Sequence, residues 1–248
     1  MQIQTIHLPN DNIATAVLPD RAASPLELLD RLRIEPPRGV VILNGGTAQL
    51  APPLETRLRL ILADGMARVV AEEHLTVVTG GTDAGIFHLF GQGLARWGRT
   101  APCIGVAVDA LTIRPGHPQG EALLEPHHSH FVLVEGRQWG DETKTMYALA
   151  AALAHDCPSL AVFAGGGEIA LHEMQANIAQ GRTMLLLAGS GRNTDAVLAA
   201  AAGRPAADAR LAGIARYPGI VPVPIEAGPA ELRNVLGRLL FSQASENP

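Results

Sequence analysis

Lysine is nearly absent from this chain of 248 residues: among 19 cationic side chains Lys144 is the one lysine, and the others are arginines. A Walker-type phosphate loop ends in Gly-Lys-Ser/Thr, and no such triplet occurs. Schiff-base chemistry would have to run through Lys144, which no surrounding motif supports. Cysteine is scarce as well. Cys103 and Cys157 are too few for a disulfide scaffold, and the first twenty residues hold no apolar signal core, so a cytoplasmic location is expected. No apolar run approaches the ~20 residues of a membrane helix, so no membrane association is expected. Aromatic residues make up 4% of the chain and the net charge is −5. Nucleic-acid binding wants a basic face with stacking rings, and is not expected here. Disorder is excluded, because 47% of the residues are hydrophobic and 17% charged.

What is present is an alternation of short apolar runs with helical spacing. Residues 1–38 read as a lead-in: apolar stretches at 3–8 and 13–18, a helix at 25–33, and a break at Glu35-Pro36-Pro37. From Gly39 to the end, residues 39–248, one domain is expected. Strands are predicted at 40–43, 75–79, 103–108, 131–134, 160–163, 184–187 and 220–223, with helices between most of them. Continuous apolar strands separated by helices predict an α/β fold, a doubly wound and mainly parallel sheet of Rossmann-like type with helices on both faces.

Four predicted strands run into glycine-rich turns: Asn44-Gly45-Gly46-Thr47, Gly80-Gly81-Thr82-Asp83-Ala84-Gly85, Gly165-Gly166-Gly167-Glu168 and Gly189-Ser190-Gly191-Arg192. In a parallel sheet these turns share the carboxyl edge, where ligands bind. Glycine lets a phosphate approach the backbone, and helix N-terminal amides favour the anion. Thr82 and Ser190 offer hydroxyl donors and Arg192 a cationic one. Any single turn is explained equally well by the steric needs of a strand-to-helix connection; several on one edge favour an anionic ligand. The full Gly-x-Gly-x-x-Gly fingerprint is missing, so a dinucleotide dehydrogenase is not supported, and no required cofactor is expected. The Gly-x-Ser-x-Gly spacing of a nucleophile elbow is missing too.

The order VVTGGTDAG (77–85), HSHFVLVEG (128–136), Trp139-Gly140-Asp141-Glu142, FAGGGE (163–168) and GSGRNTD (189–195) resembles the SLOG superfamily. More narrowly it resembles the LSDAT branch, known from the N-terminal homology region of melastatin-type TRP channels. The likeness runs from about Gly39 to about Ala201. It implies a Rossmann-like fold and a nucleotide-derived ligand, with ADP-ribose-like molecules foremost, and a sensor role. A homo-oligomer or a signalling partner is compatible with that role. The resemblance also implies a structural or ligand-lining role for His128 and His130 and places Asp195 in a motif of the ligand edge, although Asp195, one turn into a helix, is equally placed to cap it.

His127, His128 and His130 precede an apolar strand, and on an extended segment His128 and His130 share a face. No cysteine or third carboxylate completes a ligand set, so no metal is expected. Asp141 and Glu142 stand at a helix start, where capping is the first expectation. The enzymatic alternative comes from another SLOG branch, phosphoribohydrolases that cleave nucleoside monophosphates at the N-glycosidic bond. Their motif Pro-Gly-Gly-x-Gly-Thr-x-x-Glu is partly kept in Ala164-Gly165-Gly166-Gly167-Glu168-Ile169. His172 occupies the glutamate position, Glu173 follows one residue late, and the Arg-Lys dipeptide of that branch is missing. One residue turns a helix by ~100°, so Glu173 is not expected to substitute. If hydrolysis occurs, Glu168 or Glu173 is the residue to carry it. A ligand sensor is the favoured reading.

Overall fold

The computed structural model describes residues 1–46 and 50–241. Thr47, the last residue of the first glycine turn, lies outside the described residues. Eleven strands and nine α-helices follow one another as β1 (Gln2–His7), β2 (Ile13–Leu18), α1 (Pro25–Leu32), β3 (Val40–Gly45), α2 (Pro52–Leu60), α3 (Arg68–Glu72), β4 (Thr76–Thr79), α4 (Gly85–Trp97), β5 (Cys103–Val108), β6 (Thr112–Ile113), β7 (Ala122–Leu123), β8 (His130–Val134), α5 (Thr143–Leu153), β9 (Ser159–Ala164), α6 (Glu168–Ala179), β10 (Thr183–Ala188), α7 (Arg192–Ala201), α8 (Ala209–Ala215), β11 (Ile220–Pro224) and α9 (Gly228–Phe241) among the described residues. A π-helical turn, Ile61–Ala67, joins α2 to α3.

Nine strands form one sheet in the order β1-β2-β8-β5-β4-β3-β9-β10-β11. Every neighbouring pair is parallel except the β1–β2 hairpin. The expected doubly wound α/β sheet is therefore present. Residues ahead of Gly39 are woven into it: β2 pairs with β8, Thr15 opposite His130, and α1 starts on a capping box between Ser24 and Glu27.

The two-residue period of a strand sorts the core into two layers. Val41 and Leu43 pack with Leu62, Met66, Phe90 and Leu236 beneath α2, α4 and α9. Val40 and Ile42 pack with Leu149, Met174, Val197 and Leu211 beneath α5 to α8. Both layers are fully buried, which is why the inner strands read as unbroken apolar runs. Within the π turn Gly65 packs closely on α9: a Cβ there would stand 3.0 Å from Leu232, so the leucine would have to shift.

From β3 the chain winds to β4, β5 and β8 on one side, and later to β9, β10 and β11 on the other. The reversal lies between β3 and β9. Ligands bind in such sheets outside the carboxyl ends at that switch point. No described helix is long and apolar enough to cross a membrane.

A candidate ligand cleft at the switch point

Strand β3 ends on Gly45, and β9 ends beside it on Ala164. Gly45 has φ +147°, and a Cβ on it would fall 2.0 Å from the Ala164 carbonyl oxygen. Only glycine lets the two strand ends close to this distance. Over them opens a cleft of about 570 Å³, walled by Gly45 and Gly46, by Gly80 and Thr82 after β4, by Gly167 and Glu168 at the start of α6, and by Arg192 at the start of α7. Glu173 and Ile169 reach it from α6, Phe87 from α4, and Glu121, Trp139 and Glu142 from the connections around β7 and β8. A smaller, mainly apolar hollow of about 180 Å³ adjoins at Gly46 and Arg192, lined also by Gly165, Gly166, Ser190 and Gly191.

The glycine turns do different work. In the turn after β10 the amides of Gly189 and Gly191 both donate to the Asp195 carboxylate, each at 2.8 Å. Ser190 is occupied too: its hydroxyl oxygen accepts from the Gly165 amide (2.8 Å) and donates to the Leu187 carbonyl (2.6 Å). A Cβ on Gly189 would meet Ile225 and Glu226, away from the cleft. This turn is satisfied from within. In the turn after β4, the Gly81 amide donates to Thr79 Oγ1 (2.9 Å), and Gly81 packs on Gly105 of β5. Asp83 Oδ1 accepts from His88 Nδ1 (2.6 Å), and Gly85, with φ +49°, opens α4.

The turn after β9 is the exception. The Gly165 and Gly166 carbonyls accept from the Thr194 and Asn193 amides of α7, yet the Gly167, Glu168 and Ile169 amides have no acceptor among the described residues. Gly167, at the N-cap of α6, has no side-chain cap. Three amides at a helix N-terminus without an acceptor among the described residues, facing an open cleft, are the arrangement that favours an anion. Arg192 reaches over it: a Cβ on Gly167 would lie 3.5 Å from Arg192 Nη2. Arg192 itself holds φ +52°, an unusual conformation for a non-glycine residue, at the point where it leaves the turn.

Helix α6 presents two faces. Glu168 and His172, four residues apart, face outward, where Arg210 pairs with Glu168 and approaches His172 Nε2 at 3.2 Å. Ile169 and Glu173, also four apart, face the cleft. Of the two residues at or beside the motif's glutamate position, Glu173 is the buried, cleft-lining one and His172 is exposed. Glu173 has no hydrogen-bond partner for its carboxyl among the described residues. Burial, with Glu142 nearby, lifts its proton affinity to about pKa 8. Burial also raises Glu142, although its Oε2 accepts from the Gly140 amide at 2.8 Å. Beneath them the Tyr147 hydroxyl donates to Asn44 Oδ1 (2.8 Å) and accepts from Asn177 Nδ2 (2.9 Å), tying the end of β3 to α5 and α6.

The structure thus brings together Gly45, Gly46, Gly80, Thr82, Gly167, Glu168, Glu173 and Arg192 in the main cleft, and Gly165, Gly166, Ser190 and Gly191 in its annex. It does not bring His130 there. His130 opens β8, at the amino edge, with its ring bonded to Ser129 Oγ at 2.8 Å. Burial and the Arg99 charge push its pKa down to about 4. His128 lies before the strand, so it does not share a strand face with His130. It is fully buried, between Thr79 Oγ1 and Glu125 Oε2, both at 2.7 Å. Glu121 escaped sequence reasoning, and Trp139 entered it only as part of the family-like motif, with no role at the cleft. Trp139 Nε1 donates to Glu121 Oε2 at 2.8 Å, a contact between distant loops that no local spacing signals.

A doubly wound parallel sheet with a glycine-walled cleft at its switch point defines a Rossmann-like α/β protein. Within that class, the family model described as "SLOG in TRPM, prokaryote" matches residues 38–233, and the chain belongs to this family. It is 28% identical to a transient receptor potential cation channel subfamily M member-like 2 of Nematostella vectensis over 135 residues, 44% of this chain. The chain spans only 8% of that channel's length. Among solved structures, the X-ray structure of TM1055, a structural genomics target, is 22% identical with a TM-score of 0.47, over 63% of this chain and 78% of the other.

Proposed function

We propose that the protein binds a phosphorylated nucleoside derivative in the switch-point cleft and acts as a ligand sensor, with ADP-ribose-like molecules among the candidates. The observation that carries this reading is the start of α6, whose amides have no acceptor among the described residues and lie under the Arg192 guanidinium. The phosphate sits there, and the nucleoside extends along the wall of Phe87, Trp139 and Glu142. A thermal-shift series of adenosine, AMP, ADP and ADP-ribose tests it. Saturating binders raise the melting temperature, since a ligand at about a hundredfold its Kd contributes ~2.7 kcal/mol. Adenosine, lacking phosphate, gives the smallest shift. Equal shifts for all four, or none, contradict the reading.

A second reading, N-glycosidic hydrolysis of a nucleoside monophosphate, is favoured by one observation: the Glu173 carboxyl, raised to about 8, lines the same cleft. Such a group suits proton transfer near neutral pH. Incubation of AMP and CMP with excess protein, followed by chromatography, separates the two. The sensor returns both intact. Release of free base, lost in Glu173→Gln, establishes the hydrolase.

A further inference from the structure

We propose that the cleft selects a phosphorylated nucleoside whose base is cationic, the positive ring lying against Trp139 and the Glu142 and Glu173 carboxyls. This rests on the phosphate reading above and adds the class of base. The anion-favouring start of α6 explains one part of the cleft only. Its remaining wall carries Glu121, Glu142 and Glu173, none of which has a cationic partner among the described residues. Glu168 lines the cleft where α6 begins, but its carboxylate turns outward to pair with Arg210. Glu121 holds the indole of Trp139 and Glu142 holds the Gly140 amide. Glu173 is different: 8% exposed, it has no hydrogen-bond partner of any kind for its carboxyl among the described residues.

No buried side-chain oxygen among the described residues lacks a partner, so the Glu173 carboxyl oxygens open to the cleft, where a ligand group can complete them. The groups facing Glu173 are Glu142 and Tyr147 from the α5 side, with Arg192 across the cleft on α7. Nucleotides with neutral bases bring only negative charge to this wall. A pyridinium-type base brings the missing countercharge, and the indole offers a cation–π surface. On binding, the ring's charge takes the place of the proton that Glu173 holds in the empty cleft, and that proton leaves to solvent. Affinity for the cationic base therefore rises with pH as Glu173 ionises.

Nicotinamide mononucleotide and its dihydro form share phosphate and ribose and differ in the charge of the ring. Calorimetric titration of the full chain with both, at pH 7 and pH 9, and with AMP as reference, tests the inference. The oxidised form is expected to bind about tenfold tighter or more. That ratio grows at pH 9 and falls toward one in Glu173→Gln, or in Glu142→Gln should the first variant fail to fold. Equal affinity for the two forms, with AMP still bound, overturns the cationic-base inference alone. If AMP and both mononucleotides all fail to bind, the phosphate reading falls with it.

Discussion

Glu125 and Glu173 are both buried carboxyls, 1% and 8% exposed, and their surroundings treat them in opposite ways. Glu125 is met from two sides, by His127 Nδ1 and His128 Nδ1, each at 2.7 Å, and by the His127 amide at 2.8 Å. Burial disfavours its charge, but those bonds outweigh it and hold the carboxyl at about 2. Burial likewise disfavours a charged His128, and the Cys103 sulfur and Glu125 overcome it, raising the ring to about 10. This knot lies behind the turn after β4: Thr79 Oγ1 bonds to both His128 and the Gly81 amide. Glu173 receives none of this and sits raised to about 8. A charge that the fold satisfies is structural; one that it leaves open toward a cleft awaits a ligand.

The contrast breaks first at the satisfied end. Glu125→Gln leaves His128 without its counter-charge and is expected to cost ~3–5 kcal/mol in denaturant unfolding at pH 6. The sign follows from the two shifts. The lowered carboxyl contributes fully above its ordinary 4.5 and is lost as pH falls toward 2; the raised imidazole contributes fully below its ordinary 6.5 and is lost as pH rises toward 10. The pair is therefore worth most between those ordinary values. A loss below ~1 kcal/mol at pH 6 would mean that the knot is not an ion pair. Gly91→Ala tests the same place by shape. Alanine in mid-helix normally gains ~1 kcal/mol over glycine. Here its Cβ would land 1.8 Å from Glu125 Oε1, so a loss of ~1–3 kcal/mol is expected instead. A gain would show that the carboxylate moves aside freely.

At the unsatisfied end the sign reverses. With its folded pKa near 8, above the ordinary 4.5, Glu173 is better protonated in the folded than in the unfolded chain. Its penalty grows as pH rises through that window. Glu173→Gln is expected to stabilise by ~4 kcal/mol at pH 8 and by almost nothing at pH 4.5. Destabilisation at pH 8 would show that the carboxylate is paired after all. The smallest effect concerns Arg192→Ala, which should weaken AMP about tenfold and leave adenosine unchanged, because the charge-assisted bond goes to phosphate. Equal losses for both ligands would place Arg192 off the phosphate.

Much of this architecture was legible in the chain. The inner strands announce themselves because both faces of the sheet are covered, and the glycine turns because strand ends such as Gly45 admit no side chain. What was hidden depends on long-range partners. The stretches at 3–8 and 13–18 read as apolar, but their pairing beside β8 is a tertiary choice. All four turns looked alike as sequence. Asp195 and Ser190 spend the amides around Gly189 and Gly165, while those of Gly167 to Ile169 have no acceptor among the described residues. Counting from His172 says only that Glu173 does not take the motif's glutamate place; the spacing of Ile169 and Glu173, four apart, puts both on one helix face, which the fold turns to the cleft.

Locating the phosphate tests the central claim most directly. A crystal structure of the protein with AMP should show phosphate oxygens within hydrogen-bond distance of the Gly167, Glu168 and Ile169 amides and of the Arg192 guanidinium, with Asp195 still bonded to Gly189 and Gly191. Phosphate seated instead in the turn after β10, with Asp195 displaced, would contradict the account.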